Sequence, residues 1–275
     1  MIHPAIAAGH GAVVTGGASG IGLAAARKFR ALGLKVAIAD RNEDTLARAR
    51  AELGPDVVAV KTDVSSRTDV EALLAAAMDS FGTVNILMNN AGIGNGGPAL
   101  GDLARWQRVI DTNLYGVVNG VQVFAPAMIA SGAPGLIINT GSKQGITTPP
   151  GDTAYNVSKA GVKVLTEALA HELRSIEGGR VEAKLLIPGF VWTGLTTGER
   201  AVKPDGAWTA EQTIDFMLAG IERGDFYILC PDNEVDRATD EKRILWAAGD
   251  IVENRPPLSR WHNDHTDAFR TFLKS

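Results

Sequence analysis

Short apolar runs alternate with amphipathic stretches along most of the chain. Short runs that are apolar throughout are typical of strands buried on both faces, and parallel strands need helical crossovers between them. The pattern predicts strands at residues 12–15, 35–40, 57–60, 84–88, 135–140, 181–187 and 226–229. It predicts helices at residues 21–32, 43–53, 68–80, 106–130, 153–177 and 210–223. This alternation indicates an α/β fold with a doubly wound parallel sheet.

The chain has one main body and a C-terminal extension. Its 275 residues suit a single α/β domain, and no linker or internal repeat divides them. We predict a single-domain, Rossmann-like fold of about seven strands over residues 1–231 and an extension over residues 232–275. The extension carries Trp246, Trp261 and a predicted helix at residues 240–253. Because tryptophan is rarely left in solvent, we expect the extension to pack on its own domain or on a neighbouring subunit.

The composition narrows the class of protein. Apolar residues make up 45% of the chain and charged residues 21%, which is typical of a globular protein. A net charge of −4 disfavours binding to nucleic acid, and no apolar stretch is long enough to suggest a membrane protein. Since no secretory signal is visible and Cys230 is the single cysteine, we expect a cytoplasmic protein. His262 and His265 lie near two aspartates, but a solvated surface explains them better than metal binding, so we predict no metal.

A glycine-rich segment, Thr-Gly-Gly-Ala-Ser-Gly-Ile-Gly at residues 15–22, lies between the first predicted strand and the first predicted helix. Glycines let the backbone approach a ligand closely, and a helix N-terminus offers free N–H groups and a partial positive charge. An ordinary tight turn is the alternative, but the position between strand and helix favours a dinucleotide pyrophosphate. The predicted contacts are Gly16, Ser19, Gly20, Ile21 and Gly22.

Side chains after the next two strands predict which dinucleotide binds. Asp40 ends the second strand, where a carboxylate accepts hydrogen bonds from ribose hydroxyls and repels a 2′-phosphate. This favours NAD over NADP, although the adjacent Arg41 could pair with a phosphate instead of stacking on adenine or facing solvent. Asp63 and Val64 follow the third strand, and Asp63 is placed to accept from the adenine amino group. A helix N-cap is the alternative for Asp63.

Tyr155 and Lys159 are four residues apart on a predicted helix, so they lie on one face about one turn apart. The nearby ammonium is expected to lower the pKa of the tyrosine, which would make the phenol a usable acid and base for an alcohol oxygen. A surface pair is the alternative. Ser142 follows the fifth strand at the edge where such sheets bind ligands, and its hydroxyl can polarise a carbonyl. Its presence favours a catalytic set.

Together these segments resemble a known family, the short-chain dehydrogenase/reductases. The matching motifs, in the family's order, are Thr15-x3-Gly20-Ile21-Gly22, Asn89-Asn90-Ala91-Gly92, Asn113, Ser142, Tyr155-Asn156-Val157-Ser158-Lys159 and Pro188-Gly189-x-Val191-x-Thr193. The extension lies beyond the usual end of the family, so the resemblance says little about it.

The resemblance implies a role for each matching residue. Tyr155 would exchange a proton with the substrate, Ser142 would hold the substrate oxygen, and Lys159 would lower the pKa of Tyr155 and bind the nicotinamide ribose. Asn113 would anchor a water chain, with a polar residue that bends a helix as the alternative. The remaining implied cofactor contacts are Asn90, Ala91 and Gly92 on the adenosine side and Pro188, Gly189, Val191 and Thr193 at the nicotinamide end. Family members are commonly built through two long helices, which implies a homodimer or homotetramer.

The substrate is expected under the segment at residues 190–208, which we predict to be a mobile lid. The predicted pocket is apolar and consists of Ile93, Ser142, Ile146, Tyr155, Trp192 and Leu195. Packing between lid and core is the alternative for Trp192 and Trp208. Lys143 could attract an anionic group, but a solvated side chain is the preferred interpretation. A further hypothesis is that the extension closes this pocket.

These observations predict reversible hydride transfer between NAD(H) and a carbonyl/secondary alcohol pair, on a medium-sized apolar substrate. One alternative is a ketoreductase for acyl thioesters, which would need a basic entrance that the sequence does not show. A lyase or epimerase that uses NAD transiently is another. The alternative without catalysis is a NAD-binding module, which would gain nothing evident from Ser142.

Overall fold

Seven parallel strands form the central sheet of the computed structural model, which describes residues 3–197 and 201–275. The strands are β1 (Gly11–Thr15), β2 (Lys35–Asp40), β3 (Val58–Lys61), β4 (Ile86–Asn89), β5 (Gly135–Thr140), β6 (Val181–Ile187) and β7 (Tyr227–Leu229). Their order across the sheet is β3-β2-β1-β4-β5-β6-β7, and all neighbours are parallel. The predicted doubly wound fold is confirmed.

Helices connect the strands and cover both faces of the sheet. They are α1 (Gly20–Ala31), α2 (Glu43–Leu53), α3 (Arg67–Phe81), α4 (Leu103–Ile110), α5 (Gly116–Ala130), α6 (Gln144–Thr147), α7 (Thr153–Arg174), α8 (Ala210–Arg223), α9 (Arg237–Val252) and α10 (Thr266–Lys274). The single helix predicted at 106–130 is in fact α4 and α5, joined by a π-helical segment at Asp111–Tyr115. Helices α6 and α10 were not predicted; α6 has only four residues, too few to show a periodic pattern.

The strand order reverses at β1, which has β2 on one side and β4 on the other. In a doubly wound sheet, the connections on the two sides of such a point diverge and leave a crevice at the carboxyl ends of the strands. The loops that follow β1, β4, β5 and β6 all begin at this edge. The topology alone therefore brings the predicted site segments together at the carboxyl edge of the sheet.

Two apolar layers hold the helices on the sheet. One contains Phe29 of α1 and Met88 of β4, and the other contains Phe124 of α5 and Leu87 of β4. Neighbouring residues of one strand enter opposite layers because successive side chains point to opposite faces. All four side chains are fully buried, so the strands are fixed on both sides and their carboxyl ends form a rigid edge.

The segment that follows β6 leaves the sheet edge and returns to it. Val191 and Trp208 form an isolated parallel bridge. The Trp192 N–H donates to the Trp208 carbonyl at 2.8 Å, and the Trp208 N–H donates to the Phe190 carbonyl at 2.9 Å. The Trp208 ring meets the Phe216 ring edge-on at 5.6 Å, so packing against the core is the observed environment of Trp208. Backbone hydrogen bonds thus hold residues 190–192 to residue 208, and residues 198–200 of the predicted lid lie outside the described residues.

The extension contacts its own chain. Trp246 of α9 is buried, its indole Nε1 donates to Ser259 Oγ at 2.8 Å, and its ring lies 5.3 Å from the ring of Phe272. The indole Nε1 of Trp261 donates to the Thr147 carbonyl of α6 at 3.5 Å. These contacts explain why the extension carries tryptophans. The boundary at residue 231 stays a prediction.

The substitution Gly120→Ala tests the close packing of α5 on β4. A methyl group at Gly120 would lie 2.0 Å from Asn89 Oδ1, and the Asn89 amide is held by a hydrogen bond to Asn139. We expect the free energy of unfolding, measured with urea, to fall by about 2 kcal/mol or more. Gly161→Ala is the control, because the added methyl would meet only the movable methyl groups of Leu114 at 3.0 Å. Equal losses for both variants would contradict this account.

Candidate active site

A cavity of about 490 Å³ opens at the carboxyl edge of the sheet. Most predicted site residues line it: Gly16, Ser19, Gly20, Ile21, Asp40, Arg41, Asp63, Val64, Asn90, Ala91, Gly92, Ile93, Ser142, Tyr155, Lys159, Pro188, Gly189, Val191, Thr193 and Leu195. Its lining also includes residues that were not predicted: Thr62, Gly94, Asn95, Thr112, Thr140, Gly141, Gly194 and Thr196. These lie beside predicted residues in the chain and carry no motif of their own.

Four predicted site residues, Gly22, Asn113, Ile146 and Trp192, are not among the lining residues. Gly22 lies under the glycine turn, where a methyl group would be 2.1 Å from the carbonyl oxygen of Gly16. Ile146 packs against the apolar layer that contains Phe124. Trp192 is half-buried and is held through its backbone to Trp208. Gly22 therefore supports the turn that lines the cavity, and Ile146 packs in the core beside it.

The glycine turn after β1 needs its glycines. Gly16 and Gly20 have φ angles of +63° and +50°, in the left-handed region that favours glycine. A methyl group at Gly16 would also lie 2.9 Å from the Ala91 Cα, so the turn rests directly on the loop after β4. Helix α1 begins at Gly20 and points its N-terminus at the cavity, where N–H groups without intrahelical partners can bind a phosphate.

Thr15 joins the glycine turn to the loop after β4. Its hydroxyl oxygen accepts from the N–H of Asn90 at 3.0 Å and from the N–H of Ala91 at 3.2 Å. In return, the Asn90 side-chain amide donates to the Thr15 carbonyl at 3.2 Å. Three hydrogen bonds thus hold the glycine turn and the loop after β4 together.

Residues that follow β2 and β3 line the end of the cavity where the sequence predicts the adenosine half of the cofactor. Asp40 ends β2, lines the cavity and accepts from the N–H of Asn42 at 3.1 Å. Asp63 also lines the cavity and accepts from the N–H of Ser65 at 3.0 Å. The alternative that Asp63 is a helix N-cap is wrong, because α3 is capped by Ser66, whose hydroxyl accepts from the N–H of Asp69. Asp63 instead closes an Asx turn.

Tyr155, Ser142 and Lys159 meet at the opposite end of the cavity. The Lys159 Nζ lies 5.8 Å from the centroid of the Tyr155 ring and donates to the Thr140 carbonyl at 2.8 Å. The Ser142 hydroxyl is near enough to the Tyr155 phenol to lower its pKa. The Ser142 oxygen also accepts from the N–H of Gln144 at 3.2 Å, which fixes its position at the start of α6. The Ser142 hydroxyl, the Tyr155 phenol and the Lys159 ammonium therefore lie together on one part of the cavity wall.

The ionisation of this set differs from the expectation. Burial raises the pKa of the Tyr155 phenol, the Ser142 hydroxyl opposes this rise, and the Asp152 carboxylate adds to it. The expected net lowering of the Tyr155 pKa is therefore wrong for this structure, because loss of hydration outweighs the effect of Ser142. Burial also lowers the pKa of the Lys159 ammonium to about 8. At neutral pH the phenol holds its proton and Lys159 is mostly charged.

Asn113 lies in the π-helical segment and is fully buried. Its Oδ1 accepts from the N–H of Ile93 at 2.8 Å, and its Nδ2 donates to the Ile93 carbonyl at 2.9 Å and to Ser158 Oγ at 3.1 Å. π-helical turns are rare and occur often at functional sites. Here the π-helical turn positions the side-chain amide of Asn113, which links the loop after β4 to α7 through hydrogen bonds. The water-chain role of Asn113 stays a prediction.

Asp152 is a site-forming residue that the sequence analysis missed. Its Oδ1 caps α7 by accepting from the N–H of Tyr155 at 3.4 Å. The same carboxylate accepts from the N–H of Asn95 at 2.8 Å and from the N–H of Gly97 at 3.0 Å. An aspartate just before a helix is a visible N-cap pattern, but its contacts with residues 95 and 97 depend on the tertiary fold.

The interpretation of Lys143 as a solvated side chain is wrong. Its Nζ lies 2.6 Å from an Asp240 oxygen and 3.3 Å from an Asp232 oxygen, and both carboxylates come from the extension. No charged partner was visible nearby in the sequence, since both are distant along the chain. The ammonium is therefore engaged by the protein itself and does not line the cavity.

Comparison with known proteins decides the family. The family model described as short chain dehydrogenase matches residues 10–203, a range that contains the glycine turn, Ser142, Tyr155 and Lys159. The chain belongs to the short chain dehydrogenase family. The resemblance inferred from the motifs is confirmed, and the residues beyond 203 lie outside the match.

Members of the short chain dehydrogenase family resemble this chain over most of its length. It is 39% identical to 3beta-hydroxysteroid dehydrogenase 1 of Eggerthella lenta over 76% of this chain and 80% of the relative. It is 42% identical to galactitol 2-dehydrogenase (L-tagatose-forming) of Cereibacter sphaeroides over 67% of this chain and 72% of the relative. A crystal structure of a family member from Burkholderia phymatum in complex with NAD superposes with a TM-score of 0.83 at 35% identity, over 94% of this chain and 98% of the other.

Membership of the short chain dehydrogenase family makes this chain an oxidoreductase that uses a nicotinamide cofactor to interconvert alcohols and carbonyl compounds. The predicted enzyme class is confirmed. Within residues 3–197 and 201–275, no helix combines the length and apolar character needed to cross a bilayer. The same residues contain no cluster of three or more His, Cys, Asp or Glu side chains placed to hold a metal ion.

The buried charge of Lys159 predicts a pH-dependent stability. Because the pKa falls from 10.5 to about 8 on folding, the charged lysine destabilises the fold by about 3 kcal/mol at pH 7. The penalty shrinks as pH rises from 8 towards 10.5, since the folded protein has then lost a proton that the unfolded chain still binds. Relative to Lys159→Met, the wild type should gain about 1 kcal/mol of unfolding free energy between pH 7 and pH 9.

Denaturant unfolding at the two pH values measures this difference. Lys35→Met removes an exposed lysine and serves as the control for a general loss of positive charge. A stability gap between the wild type and Lys159→Met that stays constant from pH 7 to pH 9 would show that the buried ammonium carries no such penalty.

Proposed function

We propose that the protein is a NAD-dependent dehydrogenase and ketone reductase that acts on a medium-sized, uncharged, largely apolar secondary alcohol and its ketone. The observation that carries this proposal is the meeting of Tyr155, Ser142 and Lys159 at one end of a cavity whose other end holds Asp40. A proton donor, an oxygen-binding hydroxyl and a dinucleotide site in one cavity suit hydride transfer coupled to proton transfer.

The lining residues fit a nicotinamide dinucleotide. The turn at Gly16 and Gly20 leaves no room for side chains but offers backbone N–H groups, as a pyrophosphate requires. Asp40 lies where it can accept hydrogen bonds from ribose hydroxyls, and Lys159 lies beside Tyr155 at the opposite end. When bound, the cofactor supplies or accepts the hydride; the protein supplies orientation and proton transfer.

Three side chains carry the proposed mechanism. Ser142 donates a hydrogen bond to the substrate oxygen and polarises the carbonyl. Tyr155, protonated at neutral pH because burial raises its pKa, donates its proton to that oxygen during ketone reduction. In alcohol oxidation the phenolate accepts the proton, and the positive charge of Lys159 stabilises that phenolate as it forms.

Asp40 supports NAD as the preferred cofactor. A carboxylate at the end of β2 lines the cavity, and it repels the 2′-phosphate of NADP while it accepts from the 2′-hydroxyl of NAD. Arg41 lines the cavity beside it and is exposed. Of these two side chains, the Asp40 carboxylate suits a ribose better, because it accepts hydrogen bonds from hydroxyl groups. Its charge also acts more strongly in this partly enclosed site than it would in bulk water.

The cavity lining supports an uncharged substrate. Among the described lining residues, the charged side chains are Asp40, Arg41, Asp63 and Lys159, and Lys159 alone lies at the Tyr155 end. Ile93 and Leu195 supply apolar surface there. Lys143 is paired with the extension, so it gives no basic entrance for an acyl thioester. The relatives include a hydroxysteroid and a galactitol enzyme, and this lining suits the apolar class better.

The assembly is proposed to be a homodimer or homotetramer built through the long helices. Val157 and Val164 lie two turns apart on α7 and are 45% and 63% exposed. Apolar side chains along one helix face favour burial against a second copy.

The substitution Tyr155→Phe tests the proposed proton donor. Removing the hydroxyl should lower kcat at least about 100-fold while the Kd for NADH changes less than about threefold, since the ring remains in place. Turnover of a panel of secondary alcohols and fluorescence titration with NADH measure the two quantities. Tyr227→Phe is the control, because it removes a hydroxyl that bonds Glu167 away from the cavity. Turnover of Tyr155→Phe within tenfold of the wild type would refute the assignment.

The substitution Asp40→Ala tests the cofactor preference. Wild type should use NAD with a higher kcat/KM than NADP, and the variant should shift the ratio towards NADP by about tenfold or more, because it removes the charge that repels the 2′-phosphate. Initial rates with both cofactors measure the ratio. Asp44→Ala, on the nearby α2, removes an equal charge outside the cavity lining and should leave the ratio unchanged. A wild-type preference for NADP would contradict the role of Asp40.

A further inference from the structure

The side chain that follows Ser142 lies in a charged cluster that the proposed mechanism does not use. The Lys143 Nζ is 2.6 Å from Asp240 Oδ2 and 3.3 Å from Asp232 Oδ2. The exposed fractions are 15% for the Lys143 side chain, 8% for Asp232 and 5% for Asp240. Removing one member of an ion pair this well shielded leaves an uncompensated buried charge, so the group is strongly held as a unit. We name Lys143, Asp232 and Asp240 the charge cluster.

The charge cluster joins three segments that are distant along the chain. Lys143 lies in the loop after β5, and its backbone N–H donates to the Pro188 carbonyl at 3.2 Å. Asp232 is the first residue of the extension and accepts from the N–H of Phe190 at 3.4 Å. Asp240 lies in the first turn of α9. The loop that carries Ser142, the loop after β6 and the extension therefore share one set of contacts.

Gly189 shows how closely the cluster supports the cavity wall. A methyl group at Gly189 would lie 2.7 Å from Asp232 Oδ2 and 2.9 Å from Lys143 Nζ. Gly189 itself lines the cavity, whereas Lys143, Asp232 and Asp240 do not. The backbone at Gly189 thus separates the cluster from the cavity. We expect a displacement of the cluster to move this backbone.

We propose that the charge cluster positions the nicotinamide half of the cofactor site, so that the C-terminal extension takes part in forming the active site. The extension holds Lys143 through two carboxylates, and Lys143 in turn fixes Ser142 on one side and Gly189 on the other. Lys143 is a positioning residue, since it acts through these neighbours. The adenosine half would lie near Asp40, at the other end of the cavity. This inference rests on the proposed function.

The experiment compares two ligands that differ in the nicotinamide ring. NADH contains both halves of the cofactor, and ADP-ribose contains the adenosine half and both phosphates without the ring. In Lys143→Met we expect the Kd for NADH to rise tenfold or more while the Kd for ADP-ribose changes less than threefold. We also expect kcat for a secondary alcohol to fall tenfold or more at saturating cofactor. Titration calorimetry of the full chain measures both Kd values.

A second variant keeps the test open if Lys143→Met folds poorly. Asp240→Asn removes one charge from the cluster and keeps the shape of the side chain, so it should change the ratio of the two Kd values in the same direction. The free energy of unfolding of each variant is measured beside the titrations. General loosening of the fold would weaken both ligands, whereas the positioning role predicts a change for NADH alone.

Arg255→Met is the matched control. Arg255 forms an ion pair with Asp250 at 2.9 Å, and the side chains are 17% and 11% exposed, close to the values in the charge cluster. This pair lies within the extension, and neither residue lines the cavity. Arg255→Met should lower stability without changing the ratio of the Kd values or kcat.

The outcomes separate this inference from the proposed function. A selective loss of NADH affinity in Lys143→Met and Asp240→Asn, absent from Arg255→Met, would support the positioning role. A ratio of Kd values in both cluster variants equal to that of the wild type would overturn it and leave the proposed function intact. A wild-type chain that bound neither NADH nor ADP-ribose would overturn both.

Discussion

The site depends on the hydrogen bond that the buried Lys159 ammonium donates to the Thr140 carbonyl. Burying a charge is costly, and here the donor bond to the Thr140 carbonyl offsets part of that cost. Thr140 is the last residue of β5, in the rigid centre of the sheet, so the bond fixes α7 to the sheet edge. Gly145 lets α6 approach so closely that a methyl group would lie 2.5 Å from the Lys159 backbone. The position of α7 at the sheet edge thus follows from this contact, and the lowered pKa of Lys159 follows from its burial.

Around this contact, the loops of the crevice are held by side chains that bind backbone groups. Thr15 binds two N–H groups of the loop after β4, Asn113 binds both backbone groups of Ile93, and Asp152 binds two N–H groups of the same loop. Each bond satisfies a backbone group that has no sheet partner, which would otherwise be costly to bury. Contacts within the chain therefore hold the loops of the crevice in place, as electrostatic catalysis requires.

The sequence predicted the parts of the structure that local patterns determine. Buried strands are continuous apolar runs, and the spacing of Tyr155 and Lys159 dictates a shared helix face, so both could be predicted from the chain alone. The partners of Lys143 could not, because only the tertiary fold brings Asp232 and Asp240 to it. The pKa of Tyr155 could not be predicted for the same reason: the helix places Lys159 nearby, but burial of the phenol is a property of the whole cavity.

The bridge between Val191 and Trp208 joins the two ends of the intervening chain. Because its two ends are joined at the sheet edge, a change of length inside it adds only a modest loop entropy and leaves the strand register untouched. Evolution can therefore vary the length and composition of this connection while the sheet and the side chains at its carboxyl edge stay in place.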